Sequence, residues 1–162
     1  NGYLELLADL HCIGVGHAWD ADRRGVIRRK RAKYPLINLL AAVAWHRARL
    51  RSPADFRALP PEQQGMFHEW LVAQELWRRA AIRGDELPDV LPYWEGGEHE
   101  LDFVVGRDEF VEVKRGRTSA VEFGWFARAL PGRRLTVVGR DRFEAERMRG
   151  VTIEDFLRGA AR

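Results

Sequence analysis

A single cysteine, Cys12, stands among the 162 residues. That excludes an intramolecular disulfide and any metal site built from several cysteines, and it suits a reducing, cytoplasmic compartment. Its ordinary reading is a small apolar residue beside Leu10 and Ile13. Long apolar runs are also missing. None approaches the roughly 20 residues that span a bilayer, so no membrane partner is expected. No G-x-x-x-x-G-K-[ST] phosphate loop occurs. Histidine is sparse, five residues in all. His11, His17, His46 and His68 are scattered without metal-ligand spacing, and His99 reads as an exposed strand residue. Internal repeats and low-complexity segments are absent. So is a secretory leader, although the chain opens at Asn1-Gly2-Tyr3 inside an apolar pattern, which reads as a piece of a longer protein.

What is present points to a folded, soluble domain. Hydrophobic residues make up 46% and there are six tryptophans, enough for a packed core; 31% are charged, enough for a wet surface. The length fits one ample domain or two small ones. Net charge is only +3, but it is unevenly placed. Arg23, Arg24, Arg28, Arg29, Lys30, Arg31 and Lys33 crowd one short segment. Two readings stand: a surface for a polyanion, or a solvated charged hairpin.

Apolar spacing predicts a helix over 3–11, stopped by Gly14 and Gly16. Strands over 15–19 and 26–33, joined by a turn over 20–25, make a basic ribbon. Asn38 is an N-cap for a helix over 39–49 with Leu40, Val43, Ala44 and Trp45 as its apolar stripe. Ser52-Pro53 opens a short helix that Pro60-Pro61 ends. A long helix over 62–83 places Glu69, Val72, Ala73, Leu76 and Ala80 on one face, with Glu69 its only acid. After an acidic, proline-bearing loop over 84–92 comes a short strand over 91–95. Ser119-Ala-Val-Glu122 is a capping box for a helix to Leu130, with Val121, Trp125, Phe126 and Ala129 inward. A strand over 135–138 follows, then a helix capped by Asp141-Arg-Phe-Glu144, a strand over 151–153 and a terminal helix. Three adjacent strands and a crossover helix imply a mixed sheet with helices on both faces.

The chemistry concentrates in residues 100–114. Two apolar strands, joined by a tight polar turn, carry Asp102 on one and Glu112 with Lys114 on the other. Such charges are costly to desolvate unless they pair or hold a metal. Two carboxylates on adjacent strands suit Mg²⁺ or Mn²⁺, and the Val113 carbonyl between Glu112 and Lys114 is a natural further ligand. Lys114 is placed to orient water or to neutralise developing charge, and Glu69 can reach the same place from its helix. The competing reading is a salt-bridge ladder across a hairpin. For Glu69 it is a helix acid paired with Lys114 or an arginine. Glu100 reads as a solvated strand-end acid or as an extra ligand. Trp77, Trp94 and Trp125 read as core.

Asp102 with Glu112-Val-Lys114, the helical Glu69 and the α-β-β-β-α-β order resemble the PD-(D/E)XK signature of the restriction-endonuclease-like fold. More narrowly, Gly65-Met-Phe-His-Glu69, Glu98-His-Glu-Leu-Asp-Phe103 and Phe110-Val-Glu-Val-Lys114 are similar to the C-terminal domain of unknown function carried by many prokaryotic AAA-type ATPases. The resemblance covers essentially the whole chain. It implies an α/β fold with a partial winged-helix region over 1–50, a linker over 51–64 and a nuclease-like domain over 65–162. It also implies an ATPase upstream. The expected activity is metal-dependent DNA endonuclease chemistry. Asp102, Glu112 and Val113 would serve as metal ligands, and Asp102, Glu112, Lys114 and Glu69 as catalytic residues. Arg28, Arg29, Lys30, Arg31 and Lys33 on the ribbon would hold nucleic-acid backbone. The alternative is a catalytically inactive DNA- or protein-binding module that regulates the ATPase. The pattern departs from the signature in two places. Leu101 stands where the proline of "PD" belongs, and the helix after Lys114 carries Glu122 and Arg128 but no glutamine. Oligomeric state and substrate form are left open.

Overall fold

Val72, Ala73, Leu76 and Ala80 recur at helical spacing, and all four are buried on helix α4 (Pro61–Arg83). Pro61 sits at its first turn, and Gly84 closes it in the left-handed conformation at φ 76°. The computed structural model describes residues 2–85 and 91–159. Most of the acidic loop expected over 84–92 therefore lies outside the described residues. Among those described, no helix is long and apolar enough to cross a membrane.

The protein is mixed α/β. A five-stranded mixed sheet has the order β5-β6-β7-β9-β8, with β5 Phe103–Val105, β6 Glu109–Val113, β7 Arg134–Gly139, β8 Phe143–Ala145 and β9 Met148–Thr152. Strands β6, β7 and β9 run parallel, while β5 and β8 are antiparallel edges. Both faces of the sheet are covered. On one, Val72, Ala73 and Leu76 of α4 and Phe156 of α6 (Ile153–Arg158) meet Phe103, Val111, Val113 and Val138. On the other, Phe123, Phe126 and Leu130 meet Val104, Phe110, Leu135 and Val137. Burial of each such side chain stabilises by about 1.5–3 kcal/mol.

The stretch before β5 departs from strict alternation. Leu101 packs on the same face as Val104, whereas Phe103 lies on the opposite one. A bend at Asp102 causes this, splitting the expected strand in two. Strand β4 (His99–Leu101) pairs with β3 (Trp94–Gly96), not with β6. Only the part after the bend joins the main sheet.

Two further expectations are corrected. Residues 141–144 do not cap a helix: β8 and β9 form a hairpin there. The Asp141 carboxylate accepts the Thr118 N–H at 2.8 Å and is spent on that loop. Phe143 lies over Gly150, where an added Cβ would come within 2.4 Å of its ring, and it packs on the core. Tertiary burial overrides the local capping signal. Second, the Ser119–Glu122 capping box is formed, but it closes only a 3₁₀ turn over Ala120–Phe123. After Gly124 a single helical turn follows, α5 (Phe126–Ala129). With the helical phase broken, Phe123 turns inward, while Val121 is 87% exposed and Ala129 is also exposed.

The N-terminal segment begins with α1 (Gly2–Asp9), none of whose residues is buried. The ribbon pairs Ala18–Asp20 (β1) with Gly25–Ile27 (β2), and pairs again where Gly16 faces Lys33. Between Ile27 and Lys33 the second arm has surplus residues, so 28–32 loop out instead of continuing the strand expected to Lys33. The ribbon lies against the Leu91–Tyr93 segment: the Trp19 N–H donates to the Tyr93 carbonyl at 2.7 Å. A Cβ on Gly16 would lie 2.6 Å from the Leu91 oxygen, so only glycine permits that approach. Helix α2 runs over Leu39–Trp45, with the Asn38 side chain accepting the Ala41 N–H. It ends short of Arg49, and its expected inward stripe is largely outward: Leu40 is 85% and Trp45 62% exposed. Ser52 caps α3 (Pro53–Ala58) in a full capping box with Asp55.

Candidate functional site

The register Phe103↔Val111 sets Asp102 opposite Glu112, at the end where β5 begins and β6 finishes. Ligand sites of parallel sheets gather at the carboxyl ends of the strands, and this is such an end. Because Asp102 sits in the bend, its main-chain N–H is free of any ladder and donates to Glu112 Oε2 at 3.3 Å. Asp102 Oδ2 in turn accepts the Val113 N–H at 2.8 Å. Lys114 Nζ lies 2.7 Å from Glu112 Oε1 and 6.0 Å from the centre of the Phe123 ring. The sequence-expected Asp102, Glu112, Val113 and Lys114 thus come together.

Glu69 joins them from α4. It lines a cavity of about 150 Å³ with Asp102, Lys33 and Trp70. Its carboxylate has no hydrogen-bond or ion-pair partner among the described residues, so the pairing with Lys114 or an arginine is not formed. Burial, and then the charge of Asp102, push its pKa from 4.5 up to about 7. Glu112 is only 7% exposed. The same two causes, in the same order, raise it from 4.5 to about 7, against the pull of the Lys114 hydrogen bond. Asp102 is raised as well, by burial first; the Val113 N–H and the charges of Lys33 and Lys114 oppose the rise. For Lys114, burial works to lower the pKa, but the bond to Glu112 and the nearby acids outweigh it and raise it. Burial thus works against ionising the three acids together, and the lysines offset only part of it.

The residues fit a hard divalent cation in part. Asp102 and Glu112 offer carboxylate oxygens at one strand end, and burial, with the repulsion of Asp102 on Glu112, raises the pKa of both. Among the described residues there is no group of three or more His, Cys, Asp or Glu arranged to hold a metal. The donor set thus suits an ion that keeps several waters, as Mg²⁺ does.

The basic ribbon is divided. Lys30 Nζ pairs with Glu95 Oε1 at 2.6 Å. Lys33 pairs with Glu100 and stands 4.7 Å from the Tyr93 ring centre. The Arg31 carbonyl accepts the Tyr93 hydroxyl at 2.8 Å. Arg28, Arg29 and Arg31 are exposed. Lys33 is thereby part of the acid cavity and Glu100 is its ion-pair partner, a link between distant segments that no spacing signals. His99 is not simply exposed: its ring stacks on Trp125 at 3.9 Å, nearly parallel. Sequence reading also passed over His68, whose pKa the charges of Arg115 and Arg140 help to lower. A larger groove of about 920 Å³ opens at the other end of the sheet, near Glu75, Glu109 and Arg149, and holds none of the acidic trio.

No family model, curated protein or solved structure matches the chain.

Proposed function

We propose that the domain is a metal-dependent nuclease of restriction-endonuclease-like fold, acting on the phosphodiester bonds of DNA. The observation that carries this reading is the meeting of Asp102, Glu112 and Lys114 at one strand end, with Glu69 facing Asp102 across a small cavity. Asp102 and Glu112 would hold Mg²⁺ or Mn²⁺, with the Val113 carbonyl a further ligand. The ion, when bound, supplies Lewis-acid polarisation of a phosphoryl oxygen and a more acidic water. Lys114, cationic and half-buried, stabilises negative charge that builds on the phosphoryl oxygens. Glu69, poised near neutral pH and otherwise unpaired, is suited to take a proton from the attacking water. The looped-out Arg28, Arg29, Lys30 and Arg31 offer backbone contacts without reading sequence. The resemblance to the C-terminal domain of AAA-type ATPases further implies an upstream ATPase, which would gate or drive the domain.

The test is cleavage of supercoiled and single-stranded DNA with Mg²⁺ or Mn²⁺. Wild type should cut, and Asp102→Ala and Lys114→Ala should lose at least a hundredfold in rate. Equal residual cutting by wild type and both variants, with no heat of Mn²⁺ binding, would instead establish a non-catalytic binding module.

A further inference from the structure

Strands β6 and β7 run parallel, with Val113 beside Val138 and the Lys114 N–H donating to the Val138 carbonyl at 2.9 Å. The chain leaves β6 as Lys114-Arg115 and β7 as Gly139-Arg140. Neighbouring strands lie about 4.8 Å apart, so the two arginines emerge side by side at the end that carries Glu112 and Lys114. The approach is close: a Cβ on Gly139 would lie 3.1 Å from the Lys114 oxygen.

Helix α4 walls this place. Arg115 Nη1 reaches Gln64 Oε1 at 3.3 Å. His68 lies one turn further along the same helix face. Burial, and then the charges of Arg115 and of Arg140, hold its pKa below the ordinary imidazole value. Both charges therefore act on His68, which shares the helix face of Gln64, the partner of Arg115.

Neither arginine has a carboxylate partner among the described residues. Arg78 and Arg79 on α4 pair with Glu75, and Arg142, two residues beyond Arg140, pairs with Asp155. The acid that follows Arg140 in the chain, Asp141, is taken by the Thr118 N–H and by Arg117 at 3.5 Å. The Thr118 hydroxyl, in the turn that follows Arg115, is buried and has no hydrogen-bond partner. Like charges set side by side without a counter-ion destabilise the fold, and an anion relieves them. The planar guanidinium fork matches phosphate oxygens in pairs.

We propose that Arg115 and Arg140 form a phosphate-binding subsite, distinct from the ribbon, which grips the backbone phosphate neighbouring the one that faces Lys114. The subsite rests on the nuclease reading for its ligand, a polynucleotide. It gives the site a direction: an acidic side toward Glu69 and Asp102, and a phosphate-gripping side toward Arg115 and Arg140.

The experiment measures binding of a labelled DNA oligonucleotide by anisotropy, in EDTA, over a series of salt concentrations. Wild type is compared with Arg115→Gln/Arg140→Gln, with Arg140→Gln alone, and with Arg128→Gln, which removes one exposed charge elsewhere. Loss of two phosphate contacts should weaken binding about tenfold or more and flatten the slope of log K against log salt by about two units. The single variant should flatten it by about one, and Arg128→Gln should leave it in place. Arg140 is exposed, so its variant is expected to fold even where the double variant does not. Unchanged affinity and slope in a folded variant, or an equal effect from Arg128→Gln, overturns the subsite while leaving the nuclease reading standing. Wild type that fails to bind DNA defeats the nuclease reading. In that case pyrophosphate decides the subsite: a rise in melting temperature lost in the double variant supports it as an anion site, and no rise overturns it.

Discussion

Asp102 and Glu112 are joined through the main chain: the Asp102 N–H donates to a Glu112 oxygen at 3.3 Å. The bond fixes the spacing of two acids that repel each other. Lys114 neutralises one of them, and the remaining charge is held against its own electrostatics by the backbone. A site built this way is ready for a cation before the cation arrives.

That readiness has a pH signature. Glu69 and Glu112 are both raised from 4.5 to about 7. The native state therefore binds these protons more tightly than the unfolded chain. Their stabilisation is complete below pH 4.5 and is lost as pH rises through 7. His68, held low, works in the opposite sense over part of that window. The comparison that isolates the carboxylate is wild type against Glu112→Gln, by urea unfolding in EDTA at pH 5 and pH 8. Wild type should lose of the order of 2 kcal/mol more than the variant across that interval. Equal losses would show that Glu112 titrates normally.

Asp102 carries two duties that substitutions separate. Asparagine keeps an acceptor for the Val113 N–H, whereas alanine leaves that donor without one. Asp102→Ala should cost about 1–3 kcal/mol in unfolding free energy, and Asp102→Asn distinctly less. Both should abolish Mn²⁺ binding by calorimetry. An asparagine variant that binds Mn²⁺ as wild type does would remove Asp102 from the ligand set.

The hairpin of β8 and β9 makes its own prediction. A Cβ on Gly150 would sit 2.4 Å from the Phe143 ring and 2.8 Å from the Asp141 oxygen. Gly150→Ala should therefore destabilise by about 1–3 kcal/mol through forced displacement of a packed ring. Were residues 141–144 a helix cap, as their sequence reads, the substitution would be nearly neutral. Thermal melting distinguishes the two.

Residues whose roles are set within one element were legible in the sequence. The face of α4 from Val72 to Ala80, the Asn38 and Ser52 caps and the pairing of Asp102 with the Glu112–Lys114 strand all follow from local spacing. What escaped depends on contacts between distant segments. Asp141 reads as a helix cap until Thr118 claims its carboxylate. Leu40 and Trp45 read as an inward stripe, yet α2 buries Ala42 instead. The bend at Asp102 is invisible to alternation because its cause is a change of partner, from β3 to β6. The shared cavity of Lys33 and Glu69, and the influence of the Arg140 charge on His68, exist only once distant segments have packed.

Lys33 offers the sharpest check on that long-range assembly. It comes from the ribbon, pairs with Glu100 and lines the cavity that holds Glu69 and Asp102. Its charge lowers the pKa of both acids, so its removal should raise them further. In Lys33→Ala, Glu69 should titrate about half a unit or more above its wild-type value, followed by carboxyl carbon shifts in NMR. At pH 8.5 or above, where more of the acid is ionised, the variant should bind Mn²⁺ more tightly, because one competing cation has gone. Lys30→Ala is the control: Lys30 pairs with Glu95 and is not among the charges that bear most on Glu69. If both variants leave the Glu69 titration where it was, the ribbon is a solvated hairpin that merely passes by. A shift in Lys33→Ala alone makes the N-terminal segment a wall of the site.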